Sequence, residues 1–311
     1  MNKKKKVAVM TVAYNRVQTL DVCLAALAKS KPAGICDLFV VDNASTEPVK
    51  PTVTKHGAKY YRLDKNYFVA RALNEGFRHF TILKNYEYVI FMGSDVLCDK
   101  HMIHDMVAVM DADPAIGKTG PSHFEIHTDM LLTIGLSIHK VTSLLVNFLN
   151  ADVREGMNHF HSLYLVRTDA FDKSGRFDHV LYPMIYEEPD LGERILKAGY
   201  KIKSTPKAKI WHPIEPPSKK YRIRKERLYN SLPKAYLFFR NRIIYMSTYS
   251  NPFQFLLFYF IVNPIISLYY LPNIERRFIW HAFLGWWHGT VFALTRNRKY
   301  IEARNKSLLN I

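Results

Sequence analysis

Hydrophobic runs of strand length alternate with helix-length patterns through the first two thirds of this chain, and that alternation restricts its architecture more than any other feature. The runs are VAVMTVA (7–13), DLFVVD (37–42), KYYRL (59–63) and YVIFM (88–92), separated by stretches such as LDVCLAALAKS and VARALNEGFRHFTIL. Such βαβα alternation predicts an α/β fold, a mostly parallel sheet with helices on its faces. In these sheets ligands sit at the carboxyl ends of the strands. Polar residues fall at those ends: Thr11 and Asn15 after the first run, Asp42-Asn43-Ala44-Ser45 after the second, Ser94-Asp95 after the fourth. Each alone is an ordinary turn or cap former. Their coincidence at three strand ends is the functional signal.

The chain has 311 residues, which suits one large or two unequal domains. Near residue 215 its character changes. IEPPSKKYRIRKERLYN is Pro-rich and then densely basic, and it leads into an uncharged stretch from Ile243 to Ile274. The expected division is a catalytic domain over 1–220 and a basic, aromatic, helical region over 221–311. A formal net charge of +17 implies an anionic partner: nucleic acid, an anionic membrane surface or a phosphorylated substrate. No nucleic-acid-binding motif is recognisable, and the basic cluster runs into an apolar tail, so nucleic acid is the least favoured of the three. Cys23, Cys36 and Cys98 are odd in number and far apart, which fits a reducing compartment. MNKKKK runs straight into a strand pattern with no signal-type cleavage site, so the catalytic part is expected in the cytoplasm.

Seven pieces in order, TVAYNR (11–16), VVDNAST (40–46), KNYFVARALNEG (65–76), FMGSDV (91–96), GRFDHVLY (175–182), EEPDLGERILKAGY (187–200) and KIWHP (209–213), resemble the GT-A, family-2 glycosyltransferases. The branch they most resemble is the bacterial rhamnosyltransferase-like one, and the pieces span roughly the first 215 residues. The resemblance implies a GT-A (Rossmann-like) fold and a nucleotide-diphosphate sugar donor, dTDP- or UDP-linked, with dTDP-rhamnose favoured by the branch. It implies inverting transfer to a hydroxyl of a glycan or lipid-linked acceptor in surface polysaccharide or glycolipid assembly. Donor contacts would come from Thr11, Ala13, Asn15, Arg16, Asp42, Asn43, Asn66, Arg71, Asn74, Ser94 and Asp95. Asp42 could accept from a pyrimidine imide N–H, the asparagines could serve ribose and phosphate, and Arg71 the pyrophosphate. A solvated helix face is the plain alternative for Arg71 and Asn74.

In this family a short acidic motif after the fourth strand holds Mg2+ or Mn2+ against the diphosphate. Here it reads Gly93-Ser94-Asp95, with only the second acid present, and His212 matches a histidine that often helps ligate the metal. Asp95 and His212 are therefore the expected ligands. Gly93 also keeps open an inactive relative that binds nucleotide-sugar or glycan without turning it over. Cys98, His101 and His104 form a rival set at helical spacing, read instead as an amphipathic surface.

YEEPDLGERILKAGY (186–200) has the marks of a helix start: Pro189 and acids in the first turn, Gly199 at the stop. The family places its catalytic base in this motif, and the matching position is Glu188. Glu187 and Asp190 are its rivals, because glutamate in place of aspartate shifts the carboxylate by about one bond. Asp178 and His161 are acceptor-side candidates, while His159 reads equally as packing.

The tail is long enough for a membrane helix, which needs about 20 apolar residues. Pro252, Asn263, Pro264 and Pro272 interrupt it, and Arg276-Arg277 separate it from FIWHAFLGWWHGTVFAL. In a hairpin, Arg240, Arg242, Arg296, Arg298 and Lys299 would face the cytoplasm. The density of Phe, Tyr and Trp fits an interfacial position. KKYRIRKER and the tail are expected at an anionic cytoplasmic leaflet of the cell membrane, with a helical subdomain or a homo-oligomer interface as the alternatives.

Overall fold

The computed structural model describes residues 5–30, 34–150, 157–212 and 230–311. Pro213 and the basic run KKYRIRKER lie outside the described residues. The chain groups into two compact units. One comprises Met1–Ser137, Asn147–Phe177 and Leu191–Pro216; the other comprises Ile138–Val146, Asp178–Asp190 and Pro217–Ile311. The sequence division near 220 thus acquires two inserts from mid-chain, and the second of them carries Glu187, Glu188, Asp190 and Asp178.

In the first unit the strands are β1 (Lys5–Ala13), β2 (Cys36–Asp42), β3 (Lys59–Arg62), β4 (Tyr86–Met92), β5 (Leu97–Cys98), β6 (Ile116–Phe124) and β7 (Leu131–Thr133). After β8 (Gly135–Ile138) and β9 (Leu145–Phe148), which pair with each other, come β10 (Leu163–Arg167) and β11 (Lys201–Trp211). The sheet order is β3-β2-β1-β4-β10-β6-β11-β5, with β7 on β6. β3, β2, β1 and β4 are parallel to one another, as the alternation predicts. Beyond them the sheet is mixed: β10 is antiparallel to β4 and β6, and β5 to β11. β6 and β11 are parallel to each other and run in the sense of β4, so the sheet is mostly parallel, as expected, with β10, β5 and β7 as its antiparallel members. The order turns at β1, which lies between β2 and β4, and the crevice beyond such a turn is where open α/β sheets bind ligands.

The helices of this unit are α1 (Val17–Ser30), α2 (Val49–Lys55), α3 (Phe68–His79), α4 (Ile82–Asn85), α5 (Met102–Ala112) and α6 (Thr168–Lys173). Successive strand side chains point to opposite faces, so each inner strand feeds two cores. Val7, Val9, Leu38, Val40 and Ile90 pack with Leu20, Cys23, Leu24 and Leu27 of α1 and Met102 and Met106 of α5. Ala8, Met10, Phe39, Val41, Val89 and Phe91 pack with Ala70, Leu73 and Phe77 of α3. Burial on both faces explains why these strands read as continuous apolar runs.

Helix α7 (Glu187–Lys197) starts at the acids, with Pro189 in its first turn. Within the first unit Leu191 and Ile195 join the α3-side core. A Cβ on Gly192 would come 1.6 Å from Asn158 O, so only glycine lets the helix backbone lie against that segment. Asn158 also donates to Glu193 Oε1 at 2.9 Å.

The second unit is built on α8 (Leu232–Tyr249), followed by α9 (Pro252–Leu257), a single π-helical turn (Phe258–Val262), α10 (Asn263–Tyr270), α11 (Ile279–Thr295) and α12 (Arg298–Leu309). Gly285 and Gly289 of α11 bring it onto α8: a Cβ on either would come 2.2 Å from Tyr236 O or 2.8 Å from Arg240 O. Arg240 and Arg242, which a membrane hairpin would turn to the cytoplasm, are 0% and 1% exposed in α8. Arg240 donates to Asn241 Oδ1, to Asn305 Oδ1 and to Leu181 O. Arg242 donates to Ser267 Oγ at 3.1 Å and lies over the rings of Phe238 and Phe239. Each guanidinium is thus buried with hydrogen-bonding partners, the condition under which a buried charge is tolerated.

Candidate active site

At the ends of β1 and β2 the chain is clamped by its own polar side chains. Asn15 and Arg16 follow β1 with φ of 59° and 57°, a left-handed conformation that non-glycine residues adopt rarely. The Asn15 N–H donates to Ser45 Oγ at 2.9 Å, and its Oδ1 accepts from the Thr46 N–H and hydroxyl. Asn43 receives the same treatment from the next loop: Nδ2 donates to Asn66 Oδ1 at 2.8 Å and Oδ1 accepts from Tyr67 N–H at 2.9 Å. Ala13 ends β1 opposite Asp42. Thr11 is 1% exposed and its hydroxyl has no partner among the described residues, as expected of a group completed by water or a ligand.

Asp42 does not present its carboxylate to a ligand. It is 0% exposed, with Oδ1 accepting from Ser45 N–H at 2.8 Å and Oδ2 from the Tyr60 hydroxyl at 2.6 Å and from Arg62. Burial opposes its charge, but the bonds from Tyr60, Ser45 and Arg62 outweigh that and hold its pKa below the usual value. Its partner Arg62 keeps a side chain 48% exposed. Tyr60 and Arg62 were missed in the sequence. Their signal was period-2 polarity in KYYRL beside β2, where Asp42 faces Arg62 across the ladder.

Arg71 stacks over Tyr67, its guanidinium carbon 4.0 Å from the ring centroid, and stays partly exposed. Asn74 brackets the backbone of Phe177, donating to its carbonyl at 2.8 Å and accepting from its N–H at 3.2 Å.

Beyond β4, the Gly93-Ser94-Asp95 turn brings the two expected metal ligands together. Asp95 Oδ1 lies 3.2 Å from His212 Nε2, and Oδ2 lies 3.9 Å from Arg16 Nη1. Burial raises the Asp95 pKa, yet the His212 bond and charge, with Arg16, more than offset it and the net direction is down. A Cβ on Gly93 would come 2.9 Å from Asp95 Oδ1, so a side chain there would crowd the carboxylate. His161 is at the same place, its ring 5.5 Å from that of His212 and 5.8 Å from that of His123. His123, from the end of β6, is the member that sequence reasoning missed. Desolvation lowers the pKa of His123 and of His161, and repulsion among the three imidazoles adds to it, although His161 keeps an exposed surface.

Among the described residues no group of three or more His, Cys, Asp or Glu side chains is arranged to hold a metal ion. Asp95 and His212 form a two-donor pair of oxygen and imidazole nitrogen, which suits Mn2+ or Mg2+ when diphosphate oxygens complete the shell. The rival set disperses: Cys98 lies in β5 with its thiol pKa pushed well up by burial, and His104 pairs with Asp105 at 3.2 Å.

In the second unit, Ile185 and Tyr186 precede the acids with φ of 65° and 76°. Asn241 of α8 pins this turn, its Nδ2 donating to Met184 O at 2.9 Å and Ile185 O at 2.7 Å. Asn305 of α12 donates to Val180 O at 2.8 Å. Burial pushes the Glu187 pKa up, and the Asp190 charge adds to it against backbone hydrogen bonds that lower it. Glu188 is half-buried beside it in the first turn of α7. Asp190 is 3% exposed and accepts from the Tyr249 hydroxyl at 2.6 Å, so it is tied inside this unit. Asp178 is gripped by both Arg298 Nη atoms, at 2.6 and 2.9 Å, and caps the turn at Leu181 N–H; it is a structural anchor rather than an open acceptor contact.

A sheet whose polar loops gather at the turn of its strand order, with an Asp–His pair beyond β4, has the GT-A-like α/β arrangement. Residues 8–136 match the family model Glycosyl transferase family 2. Among solved structures it is similar to GalNAc-T7 with UDP, GalNAc and Mn2+, with a TM-score of 0.58 at 15% identity, over 87% of this chain and 59% of that one. It is also similar to the mannosyltransferase PcManGT from Pyrobaculum calidifontis in complex with GDP-Man and Mn2+, with a TM-score of 0.54 at 14% identity, over 100% and 82%. At these identities the likeness is one of fold. No curated protein matches the chain.

Proposed function

We propose that the protein is an inverting glycosyltransferase that moves a sugar from a nucleotide diphosphate to a hydroxyl of a glycan or lipid-linked acceptor, in surface polysaccharide or glycolipid assembly. The observation that carries this reading is the Asp95–His212 pair at 3.2 Å beyond β4, in a chain whose residues 8–136 match the family-2 model. The donor is dTDP- or UDP-linked, with dTDP-rhamnose the first to test. Both solved relatives hold a nucleotide or nucleotide-sugar with Mn2+. Asp95 and His212 would hold such a cation, which when bound neutralises charge on the leaving diphosphate.

The chain's own residues supply the rest. Arg16 and Arg71 add positive charge on the donor side, and the Asn15 and Asn43 clamps fix the loops around it. Glu188 takes the proton of the acceptor hydroxyl as its oxygen attacks the anomeric carbon opposite the leaving diphosphate, with Glu187 adjoining. The test is donor turnover across dTDP- and UDP-sugars with Mn2+, Mg2+ or EDTA. Turnover that needs metal supports the reading. Tight nucleotide binding without turnover of any donor would reassign the protein as a binder.

A further inference from the structure

We propose that the second unit docks on an anionic phospholipid bilayer through one apolar face made by α9, α10 and α11, lying in the headgroup plane rather than crossing. An ordinary surface helix exposes its polar side. The run Pro252–Asn273 does the reverse. It has a mean hydropathy of 1.7 and only 11% of its most apolar stretch is buried. Phe253, Leu256, Phe260, Ile261, Ile265 and Leu268, between 53% and 75% exposed, recur at three- and four-residue steps along its outer side. The opposite side buries Phe258 and Asn263.

Helix α11 repeats the pattern. Its small residues Gly285 and Gly289 face α8, while Trp280, Phe283 and Trp287 are 62%, 50% and 51% exposed. The two stripes join through a chain of rings, Phe260–Tyr259–Trp286–Phe283–Trp280, with successive centroids 5.2, 5.9, 6.1 and 5.3 Å apart. A contiguous apolar surface of this extent marks an interaction site.

Charge decides the occupant. Residues 230–311 contain ten Lys or Arg against two acids, Glu275 and Glu302. Arg276, Arg277 and Lys299 are exposed. A second copy meeting this face would bring like charges together, whereas an anionic leaflet complements them. Aromatic side chains of this density belong at the headgroup level. A crossing helix is disfavoured by Pro264 and by Arg242, whose bond to Ser267 would carry a guanidinium into hydrocarbon.

The test is flotation of the full chain with vesicles of phosphatidylglycerol and phosphatidylcholine, against phosphatidylcholine alone. A triple variant Phe260→Glu, Leu268→Glu, Phe283→Glu changes only exposed positions, and its far-UV circular dichroism checks the fold. The full chain should float on the anionic vesicles, and the variant should lose at least about tenfold of the bound fraction. Quenching of Trp280 and Trp287 by brominated lipids should be strongest for bromines near the headgroups. Absence of flotation, equal flotation of the variant, a dimer through this face with no lipid binding, or strongest quenching at the bilayer centre would each overturn the proposal.

Discussion

Left-handed backbone at residues other than glycine occurs, among other places, at Asn15, Arg16, Ala44 and Phe68 in the loops proposed for the donor, and at Ile185 and Tyr186 before the acids. Ile185 is the most telling, because a β-branched side chain at φ 65° costs on the order of 1–3 kcal/mol and persists only where its surroundings enforce it. The turn delivers two neighbouring glutamates with different environments. If Glu188 is the base, Glu188→Gln should lower kcat by about 10² to 10⁴-fold, and Glu187→Gln by less. The reverse order of losses would move the base to Glu187. Glu187 also has a pH signature of its own. Its folded-state pKa is raised, so as pH rises the unfolded chain releases this proton first and the folded state gives it up later. Stability is therefore full below the ordinary carboxylate range and is lost as pH climbs through the raised value. Glu187→Gln should flatten that decline and melt higher than the parent at neutral pH and above, read by thermal melts across pH. In the first unit, Asp95→Asn removes the anionic member of the pair with His212. It should cost on the order of 10² in kcat/KM, as loss of one preorganised charge contact does, and raise the Mn2+ concentration needed for half-maximal rate.

At the scale of elements, helix α8 sets the acid turn. Asn241 satisfies two carbonyls of the strained stretch with one amide and accepts from Arg240 Nε at 2.9 Å with the other end. Asn241→Leu keeps the volume but leaves those buried groups without partners, at about 1–3 kcal/mol for each unsatisfied group. The melting temperature should fall, and kcat should fall with it while the nucleotide Kd, measured by calorimetry, stays within about twofold because no donor-side residue is touched. An unchanged kcat would show that the turn holds its conformation without α8. The elements themselves were unequally legible. β1 to β4 could be read directly, since burial on both faces leaves an apolar run with polar punctuation at its end. The helix at Glu187 was equally plain from Pro189 and the acids. The antiparallel insertion of β10 between β4 and β6 left no such trace, because pairing between strands more than 70 residues apart writes nothing into local pattern. Arg240, Asn241 and Arg242 were opaque for the same reason: their partners Leu181, Asn305, Met184, Ile185 and Ser267 lie 25 to 65 residues away.

For the whole molecule, the residues proposed for the reaction fall in both units, which the linear order hides. The residues proposed for the donor side, Thr11, Asn43, Asn66, Arg71, Asp95 and His212, belong to the first unit, and the acids Glu187 and Glu188 to the second, through the insert Asp178–Asp190. That insert is fastened by residues from the C-terminal helices: Arg298 on Asp178, Asn305 on Val180, Arg240 on Leu181, Asn241 on Met184 and Ile185, Tyr249 on Asp190. Sequence patterning placed a catalytic domain in 1–220 and treated the tail as an attachment, yet every one of these fasteners comes from the tail. A chain ending at residue 216 keeps the two cores of the sheet, with Leu191 and Ile195 of α7 in one of them. It loses every fastener of the acid turn, and with them the cost of holding Ile185 and Tyr186 at positive φ is no longer met. Such a chain should bind nucleotide with Mn2+ within about tenfold of the full protein, because the loops proposed for the donor are clamped from within the first unit, Asn15 with Ser45 and Asn43 with Asn66. Its turnover should fall by at least about 10²-fold even with a soluble acceptor in detergent, where membrane attachment plays no part. Full turnover by the shortened chain under those conditions would show that the C-terminal helices serve attachment only; loss of nucleotide binding together with turnover would show that the sheet does not stand without them.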